Sequence, residues 1–135
     1  MSCKYVIDSY AWIEYFNASK YGEVAKEYIE SGNCVTPSIV VSEISRKLQK
    51  EIEDGDETIE GRLKCLEFIS ATSQVVDLDF ELAVTAGKTD LAMKKKAKGW
   101  GLGDSIVLCT AKSLNGKVVT GDEHFRNLDE VIFIK

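Results

Sequence analysis

The chain has 135 residues, 44% of them apolar, and a formal net charge of −5 at pH 7. That length suits one domain with one core, and the apolar share excludes a disordered chain. No apolar run is long enough to span a bilayer, the N-terminus MSCKYVIDSY lacks the basic-then-apolar layout of a signal peptide, and the acidity weighs against a general nucleic-acid binder. The expected location is the cytoplasm.

KYVID (4–8) is a short β-prone run, and SYAWIEYFN after it carries Trp12, Ile13, Tyr15 and Phe16 at helical spacing. A strand therefore leads straight into a helix, with Asp8 at the junction. A second helix is predicted over 20–31, stopped by Gly32, and a second strand over 33–36. Pro37 suits the first turn of a helix that carries Val40, Val41, Ile44 and Leu48 on one face as far as Gly55. A helix around Ile59, Leu63, Leu66 and Ile69 (57–72), a third strand (73–79) and a long helix (80–97) follow. GWGLGDSIVLCTA (99–111) opens a helix through Lys112, with Asp104 as a candidate N-cap and Asn115 and Gly116 as the stop. KVVTG (117–121) is a fourth strand, a short helical turn is expected at 123–127, and VIFIK (131–135) is a fifth strand.

Strands alternating with helices imply an α/β layered fold on a parallel sheet. With no repeat and no linker, residues 1–135 form one expected domain. In such sheets the ligand crevice lies at the carboxyl ends of the strands. Asp8 and Asp122 follow strands, Asp104 opens a helix whose N-terminus faces the same edge, and Glu43 sits in the second turn of the Pro37 helix. Taken singly, the aspartates read best as helix caps and Glu43 as a surface acid. Together they would repel one another, and a divalent cation relieves that repulsion; carboxylate oxygens suit Mg²⁺ or Mn²⁺ rather than zinc.

Other signals are weaker. Cys3, Cys34, Cys65 and Cys109 are widely spaced in apolar contexts and read as buried, reduced thiols rather than a zinc site. GWGLG follows a lysine-rich helix, not a strand, so it is not a dinucleotide loop. VVDLDF (75–80) imitates a phosphatase DxD start, but Asp79 reads better as a helix cap. A receiver-type pocket would want adjacent acids after the first strand, where Asp8 stands alone. His124 has no identifiable acid–nucleophile partner and reads as structural. Trp12, Tyr15 and Phe16 read as core.

With VIDSYAWIEYF, PSIVVSEI and GDSIVLCTAKSLNGKVVTGDEHF in this order, the chain resembles the PIN domain family, most closely its VapC-type toxin ribonucleases. The resemblance covers nearly the whole chain. It implies a three-layer α/β sandwich around a five-stranded parallel sheet in order 3-2-1-4-5. It also implies Mg²⁺- or Mn²⁺-dependent hydrolysis of RNA phosphodiester bonds, with Asp8, Glu43, Asp104 and Asp122 as the acidic cluster. Asp8 and Asp104 would be the principal metal ligands, with Glu43 and Asp122 completing the cage. Ser9 and Thr120 would orient ligands or substrate. Lys94, Lys95 and Lys96, in MKKKAK, would guide the RNA backbone, against the simpler reading of a solvated helix end. A small antitoxin is the implied partner and a homodimer the expected assembly. The rival is a catalytically silent PIN-like binding or scaffold subunit, which would have no need for mutually repelling carboxylates.

Overall fold

The computed structural model describes residues 3–135. β1 (Tyr5–Ile7) runs into α1 (Ser9–Phe16), and α2 (Lys20–Ile29) precedes β2 (Cys34–Pro37). α3 (Ser38–Glu53) and α4 (Ile59–Thr72) lead to β3 (Gln74–Val76), and α5 (Phe80–Lys94) and α6 (Leu102–Ser113) lead to β4 (Lys117–Thr120). A 3-10 turn (Glu123–Phe125) precedes β5 (Val131–Phe133). The five strands form one sheet in the order β3-β2-β1-β4-β5, with every neighbouring pair parallel, as the resemblance implies. Helices flank it: α2 packs on β1 and β4, and α6 on β1, β2 and β4. The strand order reverses direction between β1 and β4. Ligands of open parallel sheets bind at that point, outside the carboxyl ends.

Helix starts follow from local chemistry. Ser19 accepts a hydrogen bond from the Gly22 amide (3.0 Å), Thr58 from Gly61 (2.9 Å) and Asp79 from Leu82 (2.8 Å), each satisfying an orphan amide of a first turn. Asp79 is thus the cap that its position suggests. Asn115 takes the left-handed conformation (φ 51°) just beyond α6, as its stop requires.

Several boundaries differ from the sequence reading, three of them for evident physical reasons. Pro37 does not open α3 but closes β2, opposite Val76, with an extended ψ of 143°. Lacking an N–H, proline is tolerated where a ladder ends. α5 stops at Lys94 rather than 97, because the chain turns there and reaches Gly99 with φ +83°. β3 keeps only three residues at the sheet edge, and Asp77 to Asp79 peel away toward the cap of α5.

The central strands bury Val6, Ile7, Val35, Val118 and Val119, the near-continuous apolar runs expected of a sheet covered on both faces. Trp12 is fully buried, and its indole N–H donates to Thr36 Oγ1 at 3.1 Å. Tyr15 and Phe16 are half-buried and pack with Phe68 of α4. Full burial of a large apolar side chain contributes about 1.5–3 kcal/mol. Cys34 and Cys109 are buried thiols, whereas Cys65 is half-buried and Cys3, ahead of β1, is exposed, which corrects the expectation for those two. Among the described residues, no helix is long and apolar enough to cross a membrane.

Candidate metal centre

Asp8 is the residue between β1 and α1. Its amide donates to Val119 O (3.1 Å) and continues the ladder with β4. Its side chain stands at the N-cap of α1 but makes no capping hydrogen bond. Instead, Oδ2 accepts the Thr120 hydroxyl at 2.8 Å, across 112 residues of sequence. Thr120 Oγ1 also accepts the Asp122 amide at 3.0 Å, so its one proton is committed to Asp8. The Asp8 residue is only 5% exposed. Burial is the main force raising its carboxyl from 3.8 to about 7; Thr120 and the Ser9 amide oppose the rise, and the charges of Glu43 and Asp104 add to it.

Glu43 arrives from the second turn of α3. Its Oε2 lies 3.4 Å from the point where a side chain at Gly103 would begin, so the glycine leaves room for the carboxylate. Its pKa is raised, first by burial of the carboxyl and then by the charges of Asp104 and Asp122, against a hydrogen bond with the Ser9 hydroxyl. Asp104 is not the N-cap of α6. Gly101 holds that position (φ −120°, ψ 166°), and Asp104, three residues on, reaches back so that Oδ2 accepts the Gly101 amide at 2.9 Å. Glycine has no side chain to offer, so the aspartate satisfies the helix start from inside the first turn, where its charge also suits the helix dipole. Asp122 caps the 3-10 turn through the His124 amide at 2.9 Å.

His124 is half-buried, as its structural reading expects, but it has acidic partners that the sequence did not show. Its Nδ1 lies 2.9 Å from Asp104 Oδ2 and 3.5 Å from Asp122 Oδ1. One ligand atom from each of Asp104, Asp122 and His124 falls within 4.8 Å of the others. The signal available in the sequence was the offset of two from Asp122 within a tight turn.

The PIN domain family matches residues 5–131 of the chain. The chain belongs to the PIN domain family. Among curated proteins no sequence matches it. A structure of DNA-bound VapBC from Salmonella typhimurium has a chain that superposes with a TM-score of 0.75 at 18% identity, covering 99% of this chain and 100% of that one. VapBC2 from Rickettsia felis, bound to a DNA fragment from its promoter, gives 0.72 at 16% identity over 96% of each chain. VapBC-1 from nontypeable Haemophilus influenzae gives 0.67 at 20% identity, covering 96% of this chain and 97% of that one. At these identities the likeness is one of fold.

In this PIN domain Thr120 meets Asp8, Ser9 meets Glu43, and the charges of Glu43 and Asp104 act on Asp8, but the ligand atoms that fall together belong to Asp104, Asp122 and His124, a group that includes neither Asp8 nor Glu43. Lys94, Lys95 and Lys96 stand exposed at the end of α5. Lys94 is also held by Asp90 (3.1 Å), whose carboxylate takes the Ser105 hydroxyl at 3.5 Å. Ser105 Oγ accepts the Trp100 indole N–H at 2.7 Å, so Lys94 belongs to a network that anchors the start of α6. A cleft of about 400 Å³ opens beside the acids, lined by Ser9, Tyr10, Ile13, Glu43, Lys47 and Asp122 among others. Lys47, one helical turn beyond Glu43 and paired with Glu51 at 3.1 Å, is a cation that the sequence reading missed. Its i+4 spacing from Glu43 was the available signal.

Proposed function

We propose that this PIN domain is a divalent-metal-dependent ribonuclease and the toxin half of a toxin–antitoxin pair. The observation that carries the reading is Asp8, a buried carboxyl raised to about 7 and set among other acids. Such a group favours a proton or a cation over its own charge. Carboxylate oxygens are the donors that hard divalent ions take, so the residues present fit Mg²⁺ or Mn²⁺. Asp8 and Asp104 would be the principal ligands, with Glu43 and Asp122 completing the set. A bound ion would polarise the phosphoryl oxygen, activate the attacking water and stabilise the leaving oxygen.

The chain's own groups supply position. Thr120 fixes Asp8, and the Gly101 amide fixes Asp104, so neither acid has to reorganise. The Ser9 hydroxyl at the cleft orients Glu43 through its hydrogen bond. Lys47 offers charge to a phosphate from the cleft wall, and Lys95 and Lys96 offer it from the end of α5. Such local cations matter in a protein of net negative charge that must hold a polyanion. The toxin reading draws support from the VapBC structures that share the fold. Phe80, Val84 and Leu91, exposed at spacings of four and seven on α5, support a protein partner. A small antitoxin and a second copy of the chain are the partners expected of such a toxin, working in the cytoplasm.

Incubating the protein with structured and unstructured RNA tests this directly. Cleavage with Mg²⁺ or Mn²⁺ that stops in EDTA is expected. Cleavage that persists in EDTA refutes the metal dependence. Tight ion binding without cleavage of any RNA would favour the silent scaffold instead.

A further inference from the structure

We propose that His124 is itself a metal ligand, its Nδ1 joining Asp104 and Asp122 in a mixed nitrogen–oxygen end of the centre that prefers a first-row transition ion to Mg²⁺. The inference rests on the metal-dependent reading above and narrows the ion it would use.

Geometry points to the ligand set. Ligand atoms on a shared edge of an octahedron with bonds of about 2.1 Å lie about 3.0 Å apart. The Nδ1 separations of 2.9 Å from Asp104 Oδ2 and 3.5 Å from Asp122 Oδ1 bracket that edge. The imidazole is also fixed. Its backbone amide is held by Asp122 Oδ1 at 2.9 Å, and the next residue, Phe125, is fully buried against Trp100 with ring centroids 5.0 Å apart. On the far side of the ring, a Cβ at Gly99 would come within 2.9 Å of Nε2, and the backbone there has φ +83°. The first glycine of GWGLG therefore makes space for the imidazole. The side chain is 33% exposed, so an ion can reach it.

Chemistry sets the preference. In the tautomer with its proton on Nε2, the Nδ1 lone pair faces the two carboxylates. Mg²⁺ favours oxygen ligands and water, whereas imidazole binds transition ions more strongly along the series from Mn²⁺ through Co²⁺ to Ni²⁺. A centre made of four acids alone would separate these ions weakly. An added imidazole separates them.

The competing role is that Nδ1–H donates to Asp104 and only orients it. Two variants of the full chain, made without a histidine tag, distinguish the roles. His124→Asn keeps a donor near the position of Nδ1 and removes the imidazole; His124→Ala removes both. Affinities for Mn²⁺, Co²⁺ and Mg²⁺ are measured by equilibrium binding. The parent should prefer Mn²⁺ and Co²⁺, and in both variants that preference should fall by about tenfold or more, the scale of ligand-shell losses. His124 is the chain's one histidine. Pulsed electron paramagnetic resonance of the Mn²⁺ complex should therefore show a directly bound nitrogen in the parent and none in either variant.

An unchanged preference in His124→Asn, with no nitrogen coupling in the parent, overturns the proposal. So does equal weakening of all three ions in His124→Ala that His124→Asn restores, because that pattern belongs to a hydrogen bond alone. If the parent binds no ion, the metal-dependent reading falls too. Nitrogen-coupled binding without RNA cleavage leaves this inference standing and removes the ribonuclease.

Discussion

Asp8→Asn removes one ionisable group from the centre and leaves its volume almost unchanged. In the folded protein Asp8 holds its proton up to about pH 7, whereas the reference value is 3.8. Between those values the folded state binds more protons than the unfolded chain. Stability therefore falls as pH rises through the window and levels off above it. Each unit of difference is worth about 1.4 kcal/mol, so the ionised carboxylate costs the ion-free fold up to about 4 kcal/mol at pH 8. Asparagine cannot ionise, and its carbonyl still accepts the Thr120 proton.

The variant should match the parent near pH 4 and exceed it at pH 8 by about 1–4 kcal/mol, the lower end applying if the new amide goes unpaired. The assay is urea unfolding in EDTA from pH 4 to 8.5. A parent whose stability does not fall between pH 4 and 7, or a variant less stable than the parent at pH 8, refutes the account of Asp8 as a strained carboxylate. Adding Mn²⁺ at about a hundred times its dissociation constant should raise the parent by about 3 kcal/mol and the variant by much less, which narrows or reverses the order.

Asp104→Asn keeps an acceptor for the Gly101 amide, so stability should change by no more than about 1 kcal/mol, while RNA cleavage should fall more than about 100-fold, since even the outer partners of metal ligands are worth about 10–100-fold. Parallel urea unfolding and gel assays check both; full cleavage activity would remove Asp104 from the centre. Gly99→Ala places a β-carbon at a positive φ and against the His124 ring, and should destabilise by about 1–2 kcal/mol. The imidazole resonance of His124 should shift with it, and an unmoved resonance would mean that Gly99 does not shape its position. The double variant Lys95→Gln/Lys96→Gln should flatten the salt dependence of RNA affinity by up to about 1.4 log units per log unit of salt. Adding Lys94→Gln should contribute less, because Asp90 already occupies that ammonium; an unchanged slope assigns all three lysines to solubility.

Much of the centre was legible because parallel topology is a rule about positions. Asp8 and Asp122 follow strands, and Asp104 precedes the strand beside them, so any sheet with β1 next to β4 brings them to one edge. Glu43 followed from helical phase. The partners chosen by each side chain were not legible. Asp8 stands where a helix cap belongs, yet spends its oxygen on Thr120 because the tertiary fold places that hydroxyl 2.8 Å away. Asp104 caps from within the turn because Gly101, not Asp104, starts the helix. His124 looked isolated because its contact with Asp104 closes across the GWGLG turn and the 3-10 turn, two irregular segments with no periodicity to project. Lys94 differs: its partner Asp90 stands four residues earlier on the same helix and was readable from spacing, and only the continuation to Ser105 and Trp100 needed the fold.

The cost of Asp8 also separates the two functional readings. A domain of this kind has only about 5–15 kcal/mol of net stability, and up to about 4 kcal/mol of it is given up at neutral pH to one carboxylate whose burial its two hydrogen bonds only partly offset. Nothing in the packing requires the charge: asparagine fills the same volume and takes the same bond from Thr120. Nor does capping require it, because the side chain does not cap α1. A binding or scaffold subunit would gain stability by the exchange, less whatever the new amide costs if it goes unpaired. A centre that must hold a cation gains from the charge at the moment of binding, when like-charge repulsion turns into ligation and the strain is released into affinity. Thr120 and the Gly101 amide hold Asp8 and Asp104 in place before any ion arrives, so little reorganisation is left to oppose that gain.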